Sequence, residues 1–185
     1  MTLEASGLEC IDGNVAIATS GSSYEVDVLI FCTGFEAALP PYAELVRGSD
    51  KRSLAQHWST GMEAYASTTV HGFPNLFILN GPNTGLGHNS IVYIIESQIQ
   101  YVLEALDWVD KTGHGPLEPS AIQQAEYSDE LQHKAQGTVW LSAGCKSWYL
   151  DPRSRKLTLV WPDFAHDYRH RNGHFDPTGY LPKFA

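Results

Sequence analysis

The segment from Phe73 to Ile95, FPNLFILNGPNTGLGHNSIVYII, constrains the fold of this 185-residue chain more than any other stretch. The short apolar run Leu76–Leu79 predicts a buried strand, and glycine, asparagine and proline are frequent in the loop Asn80–His88. From Ser90 onward apolar residues recur at helical spacing, which predicts a helix. A helix N-terminus after a strand and a tight loop presents unpaired N–H groups and partial positive charge. The segment therefore suits an anionic ligand, with an ordinary strand-to-helix connection as the alternative.

The loop has the glycines of a ligand site but not those of a complete dinucleotide fingerprint. Gly81, Gly85 and Gly87 allow positive φ and close approach of a ligand to the backbone. Asn89 or Ser90 is expected to cap the helix. G-x-G-x-x-S replaces the full G-x-G-x-x-G, and no strand with a terminal acid follows ~20 residues later, which argues against a complete Rossmann phosphate site. The absence of Gly-Lys-Ser/Thr excludes a Walker A loop.

Turn residues divide the beginning of the chain into three apolar segments. They predict an antiparallel meander with strands at Leu8–Ile11, Val15–Thr19 and Tyr24–Phe31. The last of these ends in the nearly continuous apolar run VDVLIF, which is typical of a strand buried on both faces.

The remaining elements follow from helical spacing, caps and turns. The predicted elements are a short helix near Ser53–Trp58, a helix from Ser90 to about Asp110, a helix from about Ala121 to Gln136 capped by Ser120, a strand at Thr138–Leu141, and a hairpin of Trp148–Leu150 with Leu157–Trp161. Beyond Pro162 an irregular segment is expected.

Composition narrows the classes of function. The formal net charge of −9 argues against binding to nucleic acid or to an anionic membrane surface. No apolar run approaches the ~18–20 residues that span a bilayer. Cys10, Cys32 and Cys145 are widely spaced and odd in number, which is typical of reduced thiols in a cytoplasmic protein.

The sequence gives little support for a metal site. His166, His170 and His174 have helical spacing, but Pro162 and Asn172-Gly173 argue against a continuous helix, so no metal site is predicted.

Nucleophilic catalysis is likewise not predicted. No G-x-S-x-G elbow occurs, and no pair of carboxylates stands out. Cys32, between Phe31 and Phe35, is interpreted as an inert small residue rather than as a nucleophile.

Two blocks of the sequence resemble class B flavoprotein monooxygenases, the Baeyer–Villiger monooxygenases and their flavin-containing relatives. The first block is DVLIFCTGF, Asp27–Phe35, and the second is GFPNLFILNGPNTGLGHNS, Gly72–Ser90. The tail CKSWYLD…LTLVWP…FDPTGY is similar to the ending of many members. The resemblance covers Asp27 to Tyr180.

The resemblance implies an α/β fold, the C-terminal part of a flavoprotein with two Rossmann-like domains for FAD and NAD(P), preceded by the β-meander. Residues 1–31 would be the meander and return strand at the end of the NADPH domain. Residues 32–115 would belong to the FAD-binding domain, and residues 116–185 would form the C-terminal helix, hairpin and irregular tail.

The resemblance also implies which residues approach the cofactors. The turn after Phe31 would pass close to FAD where the chain re-enters the FAD domain, and the Asn80–His88 loop and the next helix would face the isoalloxazine ring. Trp148 matches a tryptophan that closes on NADPH, but Asp151-Pro152 replaces the usual glycine and asparagine, so a structural aromatic anchor is the alternative. The implied cofactor-binding residues are Cys32, Thr33, Gly34, Phe35, Asn80, Gly81, Asn83, Leu86, Gly87, His88, Asn89 and Trp148.

The implied activity is the insertion of one oxygen atom of O2 into a ketone or heteroatom substrate, with FAD and NADPH as cofactors. The chain lacks both glycine fingerprints and the F-x-G-x-x-x-H motif of the family, and no catalytic residue is identified. The chain alone is therefore expected to be inactive and to retain neither cofactor. Its expected partner is a missing N-terminal region or a separately encoded half; a non-catalytic, self-associating domain is the alternative.

Overall fold

The computed structural model describes residues 2–32, 37–85, 87, 90–142 and 148–182. The chain divides into two units, Met1–Gly34 and Phe35–Ala185, which are taken in turn. Among the described helices, none has the length and apolar character needed to cross a bilayer.

The first unit contains a three-stranded antiparallel sheet, which confirms the predicted meander. Its strands are β1 (Leu8–Asp12), β2 (Val15–Ala18) and β3 (Ser23–Glu25), in the spatial order β1-β2-β3. Asp12 pairs with Val15 across a two-residue turn, where Gly13 takes a φ of 58°.

The third strand is shorter than predicted, and this part of the prediction was wrong. β3 ends at Glu25, and the apolar run that follows is not a strand. Val28, Ile30 and Phe31 are 74%, 78% and 67% exposed, rather than buried on both faces. A strand forms only where a neighbouring strand accepts its hydrogen bonds, and no described residue pairs with this run.

The second unit is helical. Its α-helices are α1 (Leu54–His57), α2 (Ile91–Thr112), α3 (Ala121–Ala135), α4 (Val139–Ser142) and α5 (Ala165–Asn172). Short 3₁₀ helices cover Pro41–Glu44 and Pro177–Gly179.

Local caps explain why the predictions of α1, α2 and α3 are confirmed. Ser53 closes a capping box at the start of α1. Ser90 occupies the N-cap position of α2, and Gly113 ends that helix in the left-handed conformation with a φ of 62°. The Ser120 hydroxyl accepts a hydrogen bond from the N–H of Gln123 at the start of α3.

The predictions of strands in this unit were wrong. Among the described residues, no neighbouring strand pairs with these segments. Leu76–Leu79 makes one isolated bridge, Phe77 with Thr69, although Ile78 is buried. The predicted strand at 138–141 is instead the short helix α4, because the Thr138 hydroxyl and carbonyl take part in a helical turn. The predicted hairpin is reduced to a single bridge between Leu150 and Leu157.

The tail is more regular than predicted. Helix α5 lies where an irregular segment was expected. Pro162 precedes the helix and therefore does not interrupt it, and Asn172-Gly173 marks its end. Arg169 of α5 stacks on the ring of Tyr93 at 3.6 Å and donates to the Ser97 hydroxyl, so α5 is fixed against α2.

The Gln98 side chain joins α2 to the two segments beside it. It is fully buried, and its Nε2 donates to the carbonyl oxygens of Ser67 and Ile78 at 2.9 and 3.0 Å. Its Oε1 accepts from the N–H of Asn80 at 2.8 Å. One amide therefore satisfies backbone groups that no strand pairing satisfies, and it fixes the end of the 76–79 segment against α2.

We expect Gln98→Ala to lower the free energy of unfolding by about 2–4 kcal/mol, because it leaves several buried backbone groups without partners. Gln100→Ala is the matched control, since Gln100 is exposed two residues away on the same helix. Chemical denaturation measures both changes, and equal losses in the two variants would contradict the assigned role of Gln98.

Candidate functional site

The loop that leads into α2 has a tightly specified backbone. Asn80 and Asn83 have φ values of 56° and 54°, in the left-handed region that asparagine tolerates better than most residues. A Cβ on Gly81 would lie 2.9 Å from Ile78 Cγ2. The Thr84 hydroxyl donates to the Gly81 carbonyl at 2.6 Å and closes the turn.

A second set of hydrogen bonds joins this loop to the 157–161 segment. Asn83 Nδ2 donates to the carbonyl oxygens of Leu157 and Val160 at 2.7 and 3.1 Å. Gly85 N donates to the Leu159 carbonyl at 2.8 Å, and Trp161 N donates to the Gly85 carbonyl at 2.9 Å. Gly85 and Val160 thus form a parallel bridge, which fixes the loop at a point separate from its contact with Gln98.

A cavity of about 430 Å³ lies beside the loop, within the range of about 300–1,000 Å³ that small-molecule sites occupy. Its wall combines the loop, the first residue of α2, the aromatic pair before the 151 turn and the 159–160 segment. The lining residues are Ala37, Asn80, Gly81, Thr84, Gly85, Ile91, Trp148, Tyr149, Leu159 and Val160.

The electrostatics of this cavity favour an electron-rich ligand. Ile91, the first residue of α2, lies in the wall, so the positive end of the helix dipole is near the cavity. The first turn of α2 contains no acidic residue, and no carboxylate belongs to the described lining residues. Negative charge on a bound group would therefore meet the positive end of the helix dipole rather than repulsion from a carboxylate.

An aromatic group forms the flat part of the wall. Trp148 stacks on Tyr149 with ring centroids 4.4 Å apart and an angle of 28° between planes. Trp140 contacts the edge of Tyr149 at 4.6 Å, and a Cβ on Gly87 would come within 2.6 Å of Trp140 Cη2. Trp148 remains 54% exposed, so one face of this aromatic group is open.

Asp151 holds the turn that follows the aromatic pair. Its side chain is fully buried and accepts hydrogen bonds from the Arg153 backbone N–H at 2.8 Å and from the Arg153 guanidinium. Burial alone would raise the pKa of this carboxyl, but the hydrogen bonds and charge of Arg153 outweigh burial and hold the pKa below its usual value. Arg153 also donates to the Ala38 carbonyl, so the turn fixes the segment that contains Ala37.

The structure brings together some of the residues predicted to contact the cofactors. Asn80, Gly81 and Trp148 line the cavity, whereas Asn83 is buried behind it and supports the loop. Gly87 lies against Trp140, and Cys32 is an exposed free thiol in the first unit. The other predicted positions lie outside the described residues: Thr33, Gly34, Phe35, Leu86, His88 and Asn89.

Sequence reasoning missed several residues of the wall. Gly85 was named among the loop glycines that allow a ligand to approach, and Thr84 lies inside the same predicted loop but was not singled out. Leu159 and Val160 lie about 75 residues away in the chain, and no local pattern indicates that they pair with Gly85.

No protein-family model matches this chain. It is 46% identical over 179 residues to a Baeyer–Villiger monooxygenase of Pseudomonas aeruginosa, a match that covers 97% of this chain and 34% of that protein. A Baeyer–Villiger monooxygenase of Streptomyces coelicolor is 38% identical over 95% of this chain and 34% of its own length. An FAD-binding monooxygenase of Aspergillus niger is 31% identical over 83% of this chain and 26% of its own length.

A solved structure has a similar fold over nearly the whole chain. The crystal structure of cyclohexanone monooxygenase from Rhodococcus sp. Phi1 bound to NADP+ superimposes with a TM-score of 0.75 and 21% identity. That match covers 97% of this chain and 34% of the solved chain. This chain thus spans about a third of the length of the curated relatives it matches first.

These findings define the class as flavin monooxygenases, and the chain corresponds to a C-terminal portion of such a protein. Among the proteins it resembles, one is named an FAD-binding monooxygenase and one solved structure holds NADP+. The predicted resemblance is therefore confirmed. The described residues form a small antiparallel sheet and helices, and they contain no parallel sheet of the Rossmann kind.

We expect Gly85→Ala to destabilise the second unit by about 1–3 kcal/mol, because the new Cβ would lie 2.9 Å from the Leu159 carbonyl oxygen. Gly115→Ala is the matched control, since nothing lies within 4 Å of a Cβ there. Thermal unfolding compares the two. A Gly85→Ala chain as stable as Gly115→Ala would show that the loop is not held against the 157–161 segment.

We expect Asp151→Asn to lower the free energy of unfolding at pH 7 by about 1.5–3 kcal/mol, since hydrogen bonds to a charged group are lost. Because the pKa of Asp151 is lowered in the folded state, its contribution to the free energy of unfolding is fully present above the ordinary carboxyl pKa of about 3.9. That contribution is lost as the pH falls through the pKa of the folded state. The difference in free energy of unfolding between the wild type and Asp151→Asn should therefore become smaller in acid. Chemical denaturation at several pH values from 7 to 3 measures this difference, with Asp129→Asn at an exposed position as the control. A gap independent of pH would contradict the account.

Proposed function

We propose that this chain forms one wall of the flavin site of a monooxygenase that inserts one oxygen atom of O2 into a ketone or heteroatom substrate. The observation that supports this most is the cavity beside the Asn80–Gly85 loop, with the N-terminus of α2 in its wall and no carboxylate among its described lining residues. The family relationship adds FAD and NADPH as the cofactors.

The residues present fit the isoalloxazine end of FAD. Gly81 and Gly85 line the wall, and Trp148 with Tyr149 offers a flat apolar surface. When bound, FAD would take electrons from NADPH and activate O2. The role of this chain would be to bind the ring, to direct the first N–H groups of α2 at its electron-rich edge, and to exclude water through Ile91, Leu159 and Val160.

The rest of the enzyme would lie outside this chain. In this proposal the parallel sheets of the two dinucleotide-binding domains belong mainly to an N-terminal portion, which also holds the FAD pyrophosphate and NADPH. Residues 1–31 would end the NADPH domain, residues 32–115 would belong to the FAD domain, and residues 116–185 would complete it. The proposed location of the enzyme is the cytoplasm.

A second candidate function is that of a non-catalytic domain that associates with itself. The observation that favours it is the exposure of Val28, Ile30 and Phe31, because an unpaired apolar run can pair with another copy. A concentration-dependent increase in mass, measured by light scattering and lost in Ile30→Lys, would support this candidate over the first.

The proposed function predicts that the isolated chain is colourless and does not oxidise NADPH. A hybrid enzyme, in which this chain replaces the matching portion of the Pseudomonas aeruginosa relative, should bind one FAD and oxidise NADPH in the presence of a ketone. We expect Ile91→Glu in the hybrid to weaken FAD binding by about tenfold, or about 1.4 kcal/mol, because it places a carboxylate in the cavity wall.

Ile122→Glu is the control, since it places the same charge in the first turn of α3 at an exposed position away from the cavity. Glutamate is favourable near a helix N-terminus, so neither substitution should unfold the chain. Flavin absorbance and NADPH consumption measure the outcome. A folded hybrid without flavin, or one indifferent to Ile91→Glu, would contradict the proposed role of the cavity.

A further inference from the structure

Asn172, the last residue of α5, is a buried amide whose polar atoms have no partner. The residue is 1% exposed, and neither Nδ2 nor Oδ1 makes a hydrogen bond with any described residue. The Tyr127 hydroxyl lies near this amide but is hydrogen-bonded to Ser67, at 2.9 Å. A buried polar group without a partner is costly, so a ligand that pairs with this amide would stabilise the chain.

A second cavity, of about 70 Å³, lies at this amide. It shares no described lining residue with the larger cavity beside the Asn80–Gly85 loop. Tyr101 and Tyr127, both almost fully buried, and the half-buried Tyr65 form much of its wall. The cavity therefore has largely aromatic walls around one unpaired donor and one unpaired acceptor, the two polar atoms of Asn172.

Water alone is a poor match for this cavity. Each water takes about 30 Å³, so about two waters would fit, and each needs two to four polar partners. The hydroxyls of Tyr101 and Tyr127 are already hydrogen-bonded to Tyr180 and Ser67. A planar molecule with a donor and an acceptor side by side, and with an apolar end against the rings, would match both the amide and the walls.

The charges at the exposed border of the cavity favour an uncharged ligand. Arg171 donates to Glu130 Oε2 at 2.8 Å, and His174 Nδ1 lies 3.0 Å from Glu104 Oε1, so each basic side chain has an acidic partner. Asp176, in the same border, has the charge opposite to that of Arg171. An ion would gain little net attraction here in return for its lost hydration, whereas an uncharged molecule has no such cost.

We propose that this cavity is a second ligand site, which binds a small uncharged carboxamide through the side chain of Asn172. The ligand NH₂ group would donate to Asn172 Oδ1, and its carbonyl oxygen would accept from Asn172 Nδ2. The tyrosine rings would contact the apolar end of the ligand. The volume restricts the ligand to about the size of acetamide, and the site does not depend on the proposed flavin site because the two share no described residue.

Three probes of the same shape and different charge test the proposal: acetamide, acetate and acetamidinium. Each is added to the isotope-labelled full chain, and the side-chain amide signal of Asn172 is followed by NMR. We expect acetamide to shift this signal saturably, with the millimolar affinity that so small a molecule can reach. Acetate and acetamidinium should bind at least about tenfold more weakly, because each brings a charge into a cavity that does not pair it.

Asn172→Leu removes both hydrogen-bonding atoms and keeps a similar shape. Acetamide should no longer shift the backbone signals of Ala66 and Gly173, which lie in or beside the cavity wall of this variant. Gln136→Leu is the matched control, since it replaces an exposed amide at the end of α3 and should leave acetamide binding unchanged. The comparison of the three probes uses the wild-type chain alone, so it does not depend on the folding of either variant.

Three results would overturn the proposal. The absence of a saturable acetamide shift would show that the cavity holds water only. Tighter binding of acetate or acetamidinium would assign the site to a charged ligand. Acetamide binding that persists in Asn172→Leu would place the ligand elsewhere. Because the readout needs no flavin, each of these results leaves the proposed function to its own test.

Discussion

The hydrogen bonds between the Asn80–Gly85 loop and the 157–161 segment determine the shape of the candidate site. Asn83 and Gly85 use backbone and side-chain donors to pair with a segment about 75 residues later in the chain. This pairing brings Leu159 and Val160 into the cavity wall, which also includes the first residue of α2. Without it the loop would be anchored on one side only, through Gln98, and the cavity would lose one of its walls.

Helix α2 connects the stability of the second unit to its proposed function. Its buried face carries Gln98, which satisfies the backbone of the segment before the loop, and its N-terminus lies at the cavity. One helix would thus support the loop and supply the dipole for an electron-rich ring.

Features set by local interactions could be predicted from the sequence. Ser53, Ser120 and Gly113 mark helix ends through caps that involve only neighbouring residues, and the predictions of α1, α2 and α3 are confirmed. The loop at Asn80 was predicted from its glycines and asparagines, and Asn80 and Gly81 do line a cavity.

Features that depend on distant partners could not be predicted in this way. The run through Val28 and Ile30 and the run Leu76–Leu79 both have the composition of strands, but a strand exists only with a neighbour that accepts its hydrogen bonds. The described residues supply at most single bridges, so both predictions were wrong for this chain. The pairing of Gly85 with Val160 also depends on a residue distant in the chain, so local patterns could not predict it. The resemblance to the monooxygenase family, by contrast, rests on complete enzymes, so it carried information that local patterns lack.

The central claim is that the Asn80–Gly85 loop and the N-terminus of α2 form one wall of a flavin site. A crystal structure of the hybrid enzyme with FAD bound tests it most directly. The account predicts that the isoalloxazine ring lies against this loop, within hydrogen-bond distance of the first N–H groups of α2. A structure in which side chains of the N-terminal portion fill the cavity and the ring binds elsewhere would contradict it.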